Sequence, residues 1–115
     1  MNDSFRNAFR GIFLLLRTER NFQIHFAALA VVIAAGLYFD ITRGEWAMVL
    51  VMSAVIFGLE GLNSAVEKLC DEVTMERKES IRNIKDVAAG AVLVAALIAV
   101  IVGVIVFYPY FKSHF

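Results

Sequence analysis

Three long apolar stretches, separated by short polar segments, dominate the pattern of the chain. They cover residues 22–40, 46–70 and 86–110. At about 1.5 Å per residue, a helix of some 20 apolar residues crosses the hydrocarbon core of a bilayer. A short turn, Asp40–Glu45, separates the first two stretches, and a charged segment, Asp71–Lys85, separates the second from the third. The pattern predicts an all-α membrane protein with three transmembrane helices.

Residues 4–18 show a two-sided pattern instead. One face carries apolar residues at helical spacing, namely Phe5, Phe9, Ile12, Phe13 and Leu16, and a second stripe carries Arg6, Arg10 and Arg17. Asp3 or Ser4 is placed to cap this helix. The pattern predicts an amphipathic helix on the membrane surface, with arginines at anionic headgroups. The segment lacks a small-residue cleavage site and is not expected to be a signal peptide.

The composition and the positions of aromatic residues and proline support one compact unit. The chain has 115 residues, 60% of them hydrophobic, so three spans and a surface helix make a single domain over residues 1–115. Trp46, Tyr108 and Tyr110 are expected to be interfacial anchors, and Pro109 is expected to end the third span. Eleven basic and eleven acidic residues balance, which gives no indication of a nucleic-acid partner.

The distribution of Lys and Arg predicts the orientation. The segment up to Gln23 holds four arginines and residues 68–85 hold five basic residues, whereas the Asp40 turn and the C-terminal tail hold one each. By the positive-inside rule, the N-terminus and the 71–85 loop are expected in the cytoplasm and the C-terminus outside. The expected localisation is the inner or plasma membrane, as a multi-pass protein.

A polar stripe interrupts the second span. Five residues fall within an arc of about 100° around the helix axis, namely Glu60, Asn63, Ser64, Glu67 and Asp71. Counting about 21 Å from Trp46, Glu60 is expected roughly 9 Å beneath the cytoplasmic boundary of a core about 30 Å thick. Glu67, two turns onward, is expected near that boundary. The stripe therefore places one carboxylate at lipid depth and another beside water.

A carboxylate at lipid depth is a candidate functional group, because its desolvation costs several kcal/mol unless it is paired, neutralised or bound to a metal. One interpretation is a site that joins a lipid to a water-borne molecule, with Glu60 as the base for a lipid hydroxyl. A second is a small oligomeric, proton-coupled transporter that uses Glu60. The third, a purely structural subunit, gives no reason for so many carboxylates.

The motif around the stripe identifies a family. Glu60-Gly-Leu-Asn63-Ser64-Ala-Val-Glu67, followed by Asp71 and by Lys85-Asp86, resembles the prokaryotic diacylglycerol kinase and undecaprenol kinase family. Thr18-Glu19-Arg20-Asn21-Phe22, with His25 after it, is more similar to the undecaprenol kinase branch. The resemblance extends from about Glu19 into the third span. It implies a homotrimer that transfers the γ-phosphate of ATP, with Mg²⁺, to a membrane lipid alcohol, most readily undecaprenol and otherwise diacylglycerol.

The resemblance also implies roles for individual residues. Glu19 and Glu67 would hold the metal, which suits the preference of Mg²⁺ for one or two carboxylates beside phosphates and water. Lys85 and Asp86 resemble the nucleotide-contacting pair. Asn63 and Ser64 are expected to orient the base or a phosphate oxygen, Asp71 to support the site, and Glu76, in the charged loop, to touch the nucleotide. The chain lacks the G-x-x-x-x-G-K-[ST] loop, so a soluble-kinase mechanism is not supported.

Overall fold

The computed structural model describes residues 2–115, and this part of the chain folds into four α-helices without a β-strand. The helices are α1 (Asn2–Thr18), α2 (Arg20–Phe39), α3 (Arg43–Val73) and α4 (Glu79–His114). Helices α2, α3 and α4 are each long and apolar enough to cross a membrane. The predicted class is confirmed: the protein is an all-α membrane protein with an N-terminal amphipathic helix and three transmembrane helices.

Helix α1 continues almost directly into α2. Asp3 and Ser4 lie inside the first turn of α1, so the prediction that one of them caps it is wrong. The break falls at Glu19, whose backbone is extended (φ −103°, ψ 110°). The side-chain amide of Gln23 spans this break, because its Nε2 donates a hydrogen bond of 2.8 Å to the carbonyl oxygen of Leu16. This hydrogen bond ties the end of α1 to the first turn of α2.

The turn between α2 and α3 is short and well capped. Asp40 takes the left-handed conformation (φ 53°), which Asp tolerates better than most residues. Thr42 and Glu45 then form a capping box, in which each side chain accepts a hydrogen bond from the other residue's backbone N–H. Glu45 also accepts a hydrogen bond from the hydroxyl of Tyr110, so this turn joins α3 to the end of α4.

Helix α3 is the central helix, because both α2 and α4 pack on it. The packed core lies near the α2–α3 turn and consists of Phe39, Ile41, Val49 and Val106. Trp46, predicted as an interfacial anchor, is half-buried there against Gly36. The whole chain measures 54 × 38 × 20 Å. Since one helix with side chains is about 10 Å across, the molecule is a thin, open layer of helices.

Pro109, expected from the sequence to close the third span, does not end the helix, because α4 continues through it to His114. Proline removes one backbone hydrogen bond, but aromatic packing holds the last turns in place. Phe39 contacts Phe111 with ring centroids 5.0 Å apart and His114 at 5.1 Å. At its other end α4 begins at Glu79, so most of the charged 71–85 segment is helical and residues 74–78 form the loop.

Gly36 tests the packing of α2 against α3. A Cβ atom at this position would lie 2.6 Å from Cη2 and 2.8 Å from Cζ2 of Trp46, and 3.2 Å from Cδ1 of Ile41. We expect Gly36→Ala to lower the free energy of unfolding by about 1–3 kcal/mol, the usual cost of overpacking. Gly44→Ala is the matched control, because a Cβ there meets nothing within 4 Å. Thermal unfolding in detergent measures both, and equal midpoints for the two variants would contradict the prediction.

Candidate active site

Burial divides the polar stripe of α3 into an inner and an outer part. The inner residues are buried within the chain: Glu60 is 3%, Asn63 9% and Ser64 4% exposed. The outer residues, Glu67 and Asp71, are exposed. One helix face therefore leads from a carboxylate shielded by protein to carboxylates that face solvent.

Side chains from α1 and α2 surround Glu60. Leu15 of α1 approaches α3 so closely that a Cβ at Gly61 would lie 3.3 Å from its Cδ1. On α2, Nε2 of His25 lies 3.7 Å from Oε2 of Glu60. Phe22 packs edge-on against Phe57, one turn before Glu60, with ring centroids 5.0 Å apart. The amphipathic helix and the first span together cover the acidic group.

Asn63 carries an unpartnered oxygen beside this group. Its Oδ1 is the buried side-chain oxygen or nitrogen that lacks a hydrogen-bond partner among residues 2–115. Leaving a buried acceptor unpaired costs about 1–3 kcal/mol. Such an atom, one turn from Glu60 on the same face, is well suited to accept a hydrogen bond from a ligand.

An apolar cavity of about 290 Å³ lies between α2, α3 and α4 and reaches the neighbourhood of Glu60. His25 and Phe57 line its end nearest the carboxylate, and the rest of the wall is nearly all aliphatic, including Leu29, Val32 and Ile56. Apolar walls with a few polar groups at one end are typical of ligand sites. The cavity offers hydrocarbon surface that reaches Phe57, one turn before the buried acid, and His25, which contacts it.

Two ion pairs connect the outer end of the stripe to neighbouring helices. Nζ of Lys68 lies 2.9 Å from Oε1 of Glu19, which joins α3 to the start of α2. Nζ of Lys85 donates a hydrogen bond of 2.7 Å to Oδ1 of Asp71, which joins α3 to α4. Glu19, Glu67 and Lys85 therefore gather around the last turns of α3. The sequence did not indicate Lys68 as a member of this group.

A polar cavity of about 800 Å³ lies where α3, the 74–78 loop and α4 meet. Four residues singled out from the sequence line it, namely Asp71, Glu76, Lys85 and Asp86. Three further cations, Arg77, Lys78 and Arg82, also line it. Arg82 lies one turn before Asp86, with Nε 3.9 Å from Oδ2. With Glu79, four acidic and four basic side chains line this cavity, so it offers both cations for phosphate groups and carboxylates beside them.

The described carboxylates provide only part of the ligand set that a hard divalent cation requires. Among the described residues, no three His, Cys, Asp or Glu side chains form a group that holds a metal by itself. Mg²⁺ takes only one or two protein carboxylates when phosphates and water complete its shell. Glu19 and Glu67 carry oxygens of the type that Mg²⁺ prefers, near the ends of neighbouring helices, and Glu19 is paired with Lys68.

Comparisons with known proteins identify the class. The family model described as prokaryotic diacylglycerol kinase matches residues 6–107. The undecaprenol kinase of Bacillus subtilis (strain 168) is 41% identical over 106 residues, which cover 92% of this chain and 86% of that protein. A Synechocystis diacylglycerol kinase is 41% identical over 102 residues, covering 87% of this chain and 58% of that protein. A Pseudomonas aeruginosa diacylglycerol kinase is 32% identical over 85 residues, covering 74% and 69%.

These matches define the protein as an enzyme of the membrane, a lipid kinase. Within that class, the chain belongs to the prokaryotic diacylglycerol kinase family. The predicted resemblance to this family is confirmed. Since the protein is a lipid kinase, the alternative interpretation as a proton-coupled transporter is rejected. The matched region contains both cavities and both ion pairs, because it runs from α1 almost to the end of α4.

Asn63 provides a test of whether the inner site is built for a ligand. We expect Asn63→Leu to leave the free energy of unfolding unchanged or to raise it slightly, because it removes an unpaired buried acceptor, and to lower phosphate transfer. Asn83→Leu, at an exposed position of α4, is the matched control. Thermal unfolding in detergent and a transfer assay measure both. A marked loss of stability in Asn63→Leu alone would show that Oδ1 has a protein partner in the assembled enzyme.

Proposed function

We propose that this enzyme transfers the γ-phosphate of ATP to the hydroxyl group of a membrane lipid alcohol at the cytoplasmic face of the membrane. The observation that supports this best is the arrangement along α3. A buried acid, Glu60, lies one turn after Phe57, which lines an apolar cavity, and the same helix ends at a polar cavity lined by charged residues of both signs. A lipid and a nucleotide can therefore approach one helix face from its two sides.

In this proposal Glu60 is the base. The lipid chain occupies the apolar cavity, which puts its hydroxyl beside the carboxylate. Glu60 accepts the hydroxyl proton as the lipid oxygen attacks the γ-phosphorus, and ADP leaves with the electrons of the broken P–O bond. Asn63 and Ser64, buried next to Glu60, orient the base or a phosphate oxygen. Phosphoryl transfer depends mainly on such positioning and on charge stabilisation.

The nucleotide takes the polar cavity. Lys85 neutralises phosphate charge, Asp86 accepts a hydrogen bond from the nucleotide, and Glu76 contacts the nucleotide from the loop. Glu19 and Glu67 would hold Mg²⁺, which when bound offsets the charge on the phosphates. Asp71 supports the site by holding Lys85 through their 2.7 Å hydrogen bond. Glu67 lies about two turns from Glu60 and one turn from Asp71, which puts it between the two ligands.

The assembly and the topology complete the proposal. The single domain over residues 1–115 forms a homotrimer, because a layer only 20 Å thick cannot enclose a nucleotide and a lipid headgroup. Sites would form between subunits. The N-terminus and the loop before α4 lie in the cytoplasm, as the positive-inside rule indicates, and the C-terminus lies outside. ATP then reaches the polar cavity from the cytoplasm.

Undecaprenol is the preferred acceptor in this proposal. The relative with 86% of its own length covered is an undecaprenol kinase, and Thr18-Glu19-Arg20-Asn21-Phe22 resembles that branch. Diacylglycerol is the alternative acceptor, since two of the other relatives are diacylglycerol kinases. In both cases the accepting group is a primary hydroxyl at the headgroup end of an apolar chain.

Glu60→Gln tests the proposed base. The amide has the same shape but does not accept the hydroxyl proton, and we expect the rate of transfer to fall by about 10²–10⁴-fold, the usual contribution of a general base. The assay uses purified protein, Mg²⁺, labelled ATP and a lipid alcohol in detergent. Assembly is checked by size-exclusion chromatography. A fully active, assembled Glu60→Gln enzyme would exclude Glu60 as the base.

A competition assay tests the substrate. With undecaprenol and diacylglycerol at equal mole fraction in the same micelles, we expect more labelled undecaprenyl phosphate than phosphatidic acid, together with loss of both products when Mg²⁺ is chelated. Each lipid alone serves as the control for its solubility. Excess phosphatidic acid would assign the diacylglycerol activity instead, and undiminished transfer without divalent metal would contradict the role of Glu19 and Glu67.

A further inference from the structure

His25 is the side chain of α2 that reaches the buried acid. Its Nε2 lies 3.7 Å from Oε2 of Glu60, and the two side chains are 25% and 4% exposed. Among the charged contacts that the described residues form, this is the one made by Glu60, and the three paired cations, Lys68, Arg82 and Lys85, contact other acids. The imidazole is therefore the nitrogen group best placed to act on the Glu60 carboxylate.

Aromatic packing beside His25 holds α2 against α3. Phe22 and Phe26, which flank His25 on α2, both pack against Phe57 of α3. Their ring centroids lie 5.0 and 6.4 Å from that of Phe57, at interplanar angles of 63° and 70°. These edge-to-face contacts fix the separation of α2 and α3 one turn before Glu60. The approach of His25 to Glu60 is thus set by the packing of two helices.

The imidazole also borders the apolar cavity, together with Phe57. It therefore stands between the hydrocarbon surface and the carboxylate. A group in this position determines which carboxylate oxygen is available to a hydroxyl at the end of the cavity. In the tautomer with its proton on Nε2, histidine donates a single hydrogen bond to a neighbouring acceptor.

We propose that His25 is a positioning residue for the base: its Nε2–H donates to Oε2 of Glu60 and leaves Oε1 facing the lipid hydroxyl. The inference rests on the proposed function, in which Glu60 takes the hydroxyl proton. A hydrogen bond requires a separation near 3.0 Å, and catalytic hydrogen bonds that are long in the free enzyme tighten when substrate binds. A small movement of the carboxylate in the complex closes this contact.

Three variants in the full-length enzyme test the proposal. His25→Leu removes the donor and is expected to lower kcat about 10- to 100-fold, the value of one hydrogen bond to a charged group, with the KM values for ATP and lipid changed less than about twofold. His25→Gln keeps an N–H donor and is expected to recover most of kcat. His114→Leu is the matched control, because His114 packs on Phe39 at the opposite end of α2, and it is expected to retain the wild-type kcat.

Thermal unfolding of each variant in detergent accompanies the kinetics. If His25→Leu does not assemble, His25→Met, which has similar reach but no N–H donor, is compared with His25→Gln. Equal kcat values for the variants with and without a donor would overturn the inference, as would a higher KM for lipid at unchanged kcat. The Glu60→Gln experiment separates this inference from the proposed function. A fully active Glu60→Gln enzyme would exclude Glu60 as the base. An inactive Glu60→Gln enzyme together with a fully active His25→Leu enzyme would overturn only the role of His25.

Discussion

The free-energy cost of keeping the Glu60 carboxylate away from water constrains this structure more than any other interaction. An ionised carboxylate in an apolar environment requires several kcal/mol of compensation from polar neighbours. The fold surrounds it with His25 from α2, with Asn63 and Ser64 from its own helix, and with the approach of α1 at Gly61. A helix that served only to span the membrane would gain stability from an apolar residue at this position. The retention of an acid there, at 3% exposure, is what a chemical role explains.

The two outer ion pairs position helices rather than stabilise the fold. Glu19–Lys68 and Asp71–Lys85 are partly or largely exposed to solvent, and ion pairs of this kind contribute little to the free energy of folding. Their effect is geometric, since they bring the start of α2 and the start of α4 to the last turns of α3. Asp71 and Lys85, which line the polar cavity, are thereby held in place beside it. Such pre-arranged charges stabilise a transferring phosphoryl group without reorganisation during the reaction.

Periodicity was sufficient to predict the helices, because helical spacing depends on residues close together in the chain, whereas the burial of Glu60 also depends on cover from α1 and α2. The helical spacing of the stripe puts Glu60, Asn63 and Glu67 on one face whatever their partners are. The pairing of His25 with Glu60 and of Glu19 with Lys68 depends on how α2 rotates against α3, and the spacing within each helix carries no information about that rotation. The path of α4 through Pro109 was missed for a similar reason: packing of Phe39 on Phe111 overrides a local preference of the backbone.

The chain has an open shape, so most of the apolar surface of its spans is not covered by the chain itself. In the most apolar window of each span, no more than 22% of the residues are buried inside the chain, so the spans present large apolar surfaces to lipid or to further copies of the protein. The two cavities differ in the polarity of their surroundings. The apolar cavity lies among the spans, and the polar cavity lies at the charged loop. Since a lipid alcohol is apolar along its chain and polar at its hydroxyl, it can enter only with its chain among the spans. In the proposed function, that entry would bring its hydroxyl to Glu60, on the helix that leads to the polar cavity.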